Sequence, residues 1–120
     1  MIVTIAENIG AVLTDSDITS EIGSNKIFWE LAEENTEYPF STYVFEAEGY
    51  GTKERMIPVK ISVFVYAETL NEVSRIASVI RDTVTEKHRW HDRGAKPGYT
   101  DTEAKSAYVH LKFETKINNA

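Results

Sequence analysis

His88 and His91 are followed directly by Asp92, and two imidazoles three residues apart on one helix face can share a divalent metal. Such a site needs a third and usually a fourth ligand within reach. His110 is the one remaining histidine, and the Glu of an H-E-x-x-H motif is missing. The run falls at the end of an amphipathic helix, where a histidine is favoured by the helix dipole. It therefore reads as polar residues at a helix terminus. A small ligand- or metal-binding module, or an enzyme, built on His88, His91 and Asp92 is kept as the alternative.

Other chemistry has less to start from. The chain contains no cysteine, which excludes disulfides, thiolate nucleophiles and Cys-ligated metals. No serine lies in a G-x-S-x-G elbow or an S-x-x-K motif. Gly49-Tyr50-Gly51 lacks the third glycine and the lysine of phosphate-binding loops and reads as a turn. The expectation is a non-enzymatic protein with no catalytic residues, no cofactor and no metal.

Charge is the more informative signal. Lys87, Arg89, Trp90, Arg93 and Lys96 form a basic, partly aromatic patch of the kind that contacts phosphates and stacks on bases. The whole chain, with 19 Asp+Glu against 13 Lys+Arg, carries −6, which argues against nucleic-acid binding as its main task. Opposite in sign, Glu30, Glu33, Glu34 and Glu37 crowd one loop. Either patch is explained by ordinary solvated surface. Together they also suit a head-to-tail contact between copies, because heterologous interfaces join unlike patches and close into rings. Glu33, Glu34, Arg89 and Arg93 are the candidate subunit-interface residues.

The elements that must carry these residues follow from periodicity. At 120 residues, with 42% hydrophobic and 27% charged residues, one soluble globular domain spanning 1–120 is expected. No segment approaches the roughly 20 apolar residues of a membrane span, and residues 1–25 lack a signal-peptide pattern, which predicts a cytosolic protein. Thr4-x-x-Glu7 has capping-box spacing, and Ile5, Ile9, Val12 and Leu13 predict a helix over 4–14. A short helix is expected over 15–22, stopped by Gly23. Alternation predicts strands over Lys26–Leu31 and Phe40–Gly49, with 40–66 folding as a hairpin. Its second arm points the odd positions Ile57 to Val65 at the core, and Pro58 suggests that this arm begins at a sheet edge or just outside the ladder. Thr69-x-x-Glu72 caps a main helix over 70–88. Residues 89–105 read as a polar, turn-rich connection with room for an extra strand near 97–104. Ala107–Ile117 is a last strand with one wet face. The fold class is α+β: a mainly antiparallel sheet with helices packed on one face.

The order of these pieces carries a resemblance. "VLTDSDITSEIGSNKIF", the "EYPF" after it, and the strand-to-helix junction Val63–Ile80 within "VFVYAETLNEVSRIASVIRDTV" resemble the tail-completion, or tail-terminator, proteins of long-tailed bacteriophages and prophages. The likeness runs from Ile5 to Ile117 and rests on hydrophobic and turn patterns. It implies a homo-oligomer, usually a hexameric ring, that caps the finished tail tube, ends its polymerisation and joins the tail to the head connector. Implied partners are the major tail-tube protein and a head-completion or connector protein, with DNA only as passing cargo and no membrane. Six copies of a −6 chain would sum to −36, and a negatively charged lumen would let DNA slide through without sticking. The implied location is the neck end of the virion tail, and the host cytoplasm during assembly. Another minor head or tail completion protein is the nearest alternative within the same class.

Overall fold

A computed structural model describes residues 2–47, 56–99 and 106–118. Among them the chain forms α1 (Ile2–Leu13), α2 (Ser16–Ile22), β1 (Ile27–Trp29), β2 (Phe40–Ala47), β3 (Met56–Ala67), α3 (Leu70–Glu86), β4 (His91–Tyr99) and β5 (Ala107–Asn118). The strands form one sheet in the order β1-β2-β3-β5-β4. Every pair is antiparallel except β1 with β2, which is parallel. All three helices cover the same face, so the architecture is α+β with a second, helix-free face.

Strict alternation in β3 makes it the sheet's centre. Ile57, Val59, Ile61, Val63, Val65 and Ala67 are all buried on the helix side, and the odd residues Ala107, Val109, Leu111 and Phe113 of β5 lie alongside them. The helix α3 meets this surface with Val73, Ile76, Ala77, Ile80 and Val84. Each fully buried aliphatic side chain contributes about 1.5–3 kcal/mol of transfer free energy. The Thr69 hydroxyl accepts from the Glu72 amide at 3.1 Å, as its spacing predicts.

α1 starts at Ile2, so Thr4 lies inside the helix and caps nothing. Its docking depends on Tyr43, which is buried under it and donates its phenol to the Ala6 carbonyl at 3.1 Å. A Cβ on Gly10 would come within 3.0 Å of that same oxygen, so a small residue is needed where the phenol passes.

Pro58 does not sit on an edge strand, because β3 is central. It stands opposite Lys116 of β5. The 40–66 hairpin forms as expected, but its turn at Gly49-Tyr50-Gly51 lies outside the described residues. β1 is shorter than the Lys26–Leu31 alternation predicts. The chain leaves the ladder at Glu30, whose φ is +70°, and the Lys26 ammonium donates to the carbonyls of Glu37 and Pro39, holding the return loop against the sheet edge. The Tyr38–Pro39 peptide is cis.

The largest departure is β4, a nine-residue strand where a polar connection is expected, with its start well before 97. Its sequence does not alternate because it is an edge strand whose inner residues, Ala95 and Pro97, are only partly covered by α3. Gly94 and Pro97 are tolerated there, since an edge strand needs only one row of ladder hydrogen bonds.

The two ends of the helical layer are latched by charge. Asp15 caps α2 by accepting from the Asp17 amide at 3.0 Å, and its other oxygen meets His88 Nε2 at 3.0 Å and Lys87 Nζ at 3.2 Å. The backbone hydrogen bond, then His88 and Lys87, hold the Asp15 carboxyl down at about 2 against partial burial. A carboxyl held below its unfolded value of 3.8 adds stability that is complete above that value and is lost as pH falls through about 2. Asp15→Asn retains an N-cap side chain but cannot ionise. Wild type is expected to be the more stable at neutral pH, with the gap closing between about pH 5 and pH 2; urea titrations in that window check it.

Candidate assembly surface

The helix-free face is built from the even positions of β2, β3 and β5. Register places Phe40 beside Tyr66 and Tyr66 beside Tyr108, while Phe64 sits beside His110. One end of the face is therefore aromatic. Tyr38 stacks on Phe40 at 5.4 Å, Phe40 on Tyr66 at 4.9 Å, and Tyr66 tilts toward Tyr108 at 6.4 Å. Tyr38, Phe40 and Tyr66 thus stack on one another in a row. A Cβ on Gly98 would meet the Tyr108 ring at 2.8 Å, so glycine lets that ring lie over β4.

His110 stacks on Phe64 at 4.3 Å, with an interplanar angle of 15°. Burial lowers its pKa, assisted by Lys112 and Lys96, so the imidazole is neutral at pH 7. Its buried Nε2 has no hydrogen-bond partner among the described residues.

Toward the other end the face is charged. Glu46, Lys60 and Glu114 lie side by side on β2, β3 and β5. Arg93, at the bulge in β4, extends the row by donating to Glu114 at 2.9 Å. This row of alternating sign is balanced. Around it stand Lys112, Lys116 and Arg89, all exposed and without an ion pair among the described residues, while Lys96, likewise exposed and unpaired among them, stands at the aromatic end opposite His110. Arg89 follows the α3 terminus at φ +59°, where the chain turns into β4.

The fold is shared with a virion chain. A chain of the virion of a native gene transfer agent (GTA) particle superposes with a TM-score of 0.66 at 10% identity, over 88% of this chain and 87% of that one. At that identity the likeness is one of fold. No family model and no curated protein matches the sequence.

The candidate interface residues separate into two locations. Glu33 and Glu34 are exposed in the loop after β1, along one edge of the sheet, whereas Arg89 and Arg93 are at the opposite edge, by β4. Of the pair, Arg93 is held by Glu114 and Arg89 is not held among the described residues. The basic patch read from sequence is taken apart. Trp90 is buried against Phe113 at 5.6 Å, and Lys87 is bound to Asp15 and Asp17. The H-x-x-H pair is also split, with His88 on Asp15 and His91 on β4 opposite Glu114. Among the described residues no three His, Asp or Glu side chains are grouped so as to hold a metal. No helix among them is long and apolar enough to cross a membrane.

Sequence reading did not join the aromatic row and did not single out Lys112 and Lys116 of the open face, which make no ion pair among the described residues. Even-numbered apolar residues in β2, β3 and β5 were the available signal, but assembling them into one row requires the register.

Proposed function

We propose that this protein is a non-catalytic structural component of a phage-like virion, and more narrowly a subunit of a ring that caps the tail tube. The observation that carries the reading is the match, over nearly the full length of both chains, to a chain of a GTA virion. The tail-terminator resemblance of the sequence points the same way. In this reading the ring ends tube polymerisation and offers its far side to the head connector, and DNA passes through. Subunits join head to tail, the acidic loop with Glu33 and Glu34 meeting the edge that carries Arg89 and Arg93. Opposite charges at opposite edges of one sheet suit such an interface, which closes when the rotation per subunit divides a full turn.

The test is native mass spectrometry across a concentration series, alone and with the tube protein encoded by the adjacent gene. A closed ring, and arrest of tube growth on its addition, are expected. Reversing charge at Arg89 and Arg93 should weaken assembly about tenfold, and reversal at Glu33 and Glu34 should restore it. A chain that stays monomeric with the tube protein present, while tubes keep growing, would sink the reading.

A further inference from the structure

We infer that the charged end of the open sheet face is the seat for the 30–37 loop of a second copy of this chain. The inference rests on the ring reading only in taking a second copy as the partner. It extends that reading's contact from the β4 edge, where Arg89 and Arg93 stand, onto the adjoining face over β5 and β3.

Three observations converge. First, the unbalanced charges are opposite in sign. Lys112, Lys116 and Arg89 surround a row that already neutralises itself, and Glu30, Glu33, Glu34 and Glu37 are exposed and make no ion pair among the described residues. A chain of net −6 thus keeps a cationic surface that the carboxylates among the described residues leave uncovered. Second, the two sets cannot meet within one molecule. The acidic loop runs along β1 and the cations cluster around β5 and β4, at the far side of the order β1-β2-β3-β5-β4. Such an arrangement is satisfied by a neighbour in a head-to-tail contact.

Third, the loop carries an apolar side chain to bury. Leu31 lies between the glutamates at 82% exposure, with Trp29 beside it at 39%. The open face has two adjoining depressions that share Lys60 and Glu114. One, of about 340 Å³, lies by Val44, Ser62 and Lys112, and the other, of about 290 Å³, by Pro58, Arg89 and Lys116. Val44 is itself 39% exposed. A leucine seated by Val44, with carboxylates reaching lysines on either side, gives an apolar centre with a charged rim, the usual anatomy of a specific contact. A phosphate backbone would match the cations but would leave Leu31 and Val44 without partners.

The experiment mixes ordinary and ¹⁵N-labelled chain at high concentration and applies a carbodiimide, which joins lysine amines directly to carboxylates. Crosslinks between copies, from Lys112 and Lys116 to Glu30, Glu33, Glu34 or Glu37, are the expected result. Because Lys112→Glu with Lys116→Glu deletes the reacting amines, that variant is read by sedimentation instead, where self-association should weaken about tenfold. Glu33→Lys with Glu34→Lys should restore association with that variant, and Leu31→Ser should weaken it with no change of charge. All these positions are exposed, and circular dichroism verifies that the variants fold. Intermolecular crosslinks confined to other residues, or none at the highest soluble concentration, overturn the inference. So does duplex DNA that protects the same lysines in a salt-dependent way. A ring lacking these crosslinks overturns the inference and leaves the ring reading standing. The crosslinks without any capping of tail tubes support the seat and overturn the ring reading.

Discussion

Phe113→Ala is expected to destabilise the protein by about 3–5 kcal/mol, the range for a fully buried aromatic truncated to a methyl group. Phe113 is 1% exposed, in the middle of β5, and is the largest of the side chains buried below 2%. Its ring meets Trp90 at 5.6 Å and 55°, a tilted contact. Trp90 in turn closes the end of α3, its amide donating to the Val84 carbonyl at 3.0 Å. The cavity would open beneath the turn that carries Arg89 and feeds β4. The loss is a large share of the about 5–15 kcal/mol that holds a typical domain together. Urea denaturation measures it directly, and Phe113→Leu, which leaves a smaller void, should cost markedly less. Equal costs for the two would mean that the site collapses around the smaller side chain.

Tyr43→Ala should cost a similar about 3–5 kcal/mol, with the damage concentrated in α1. This helix is joined to the rest by Ile5, Ile9 and Leu13 and by the phenol that reaches Ala6 past Gly10. Removing the ring leaves a void between α1 and the sheet. Tyr43→Phe keeps the ring and loses one buried hydrogen bond, a change of about 1 kcal/mol. Hydrogen exchange should show the α1 amides losing protection in the alanine variant before those of β3 or α3. Uniform loss across all helices would mean that α1 unfolds only with the whole domain.

Much of the architecture is legible along the chain because its central pieces are strongly periodic. β3 and β5 alternate without a break through the core, and α3 has both a capping residue and a continuous apolar stripe. Periodicity weakens where an element is covered on one side only or incompletely. β4 is the clear instance: its inner residues are half-open, so nothing in its composition separates it from a loop. Thr4 shows the opposite failure, a capping spacing that falls inside a helix starting earlier.

The candidate surface was legible in parts only. Sequence identified the acidic loop and the cations of 89–96 as patches, and Arg89 survives as an exposed cation. It credited Trp90 and Lys87 to the basic patch, although one is core and the other is bound to Asp15 and Asp17. Exposure and pairing depend on neighbours far away in the chain, and spacing does not encode them.

By itself, then, the amino-acid sequence determined the α+β class, the buried faces of the long strands and main helix, and an excess of carboxylates with no recognisable catalytic motif. Those properties are local, carried by residue type and by periods of two and 3.6. Only the tertiary structure decided that the acidic loop and Arg89 stand at opposite edges of one sheet, and that an aromatic row and four lysines share its open face: Lys60, Lys96, Lys112 and Lys116. The physical reason is strand order. β5 enters between β3 and β4, and β1 lies parallel outside β2, so residues distant in sequence become neighbours through long-range pairing.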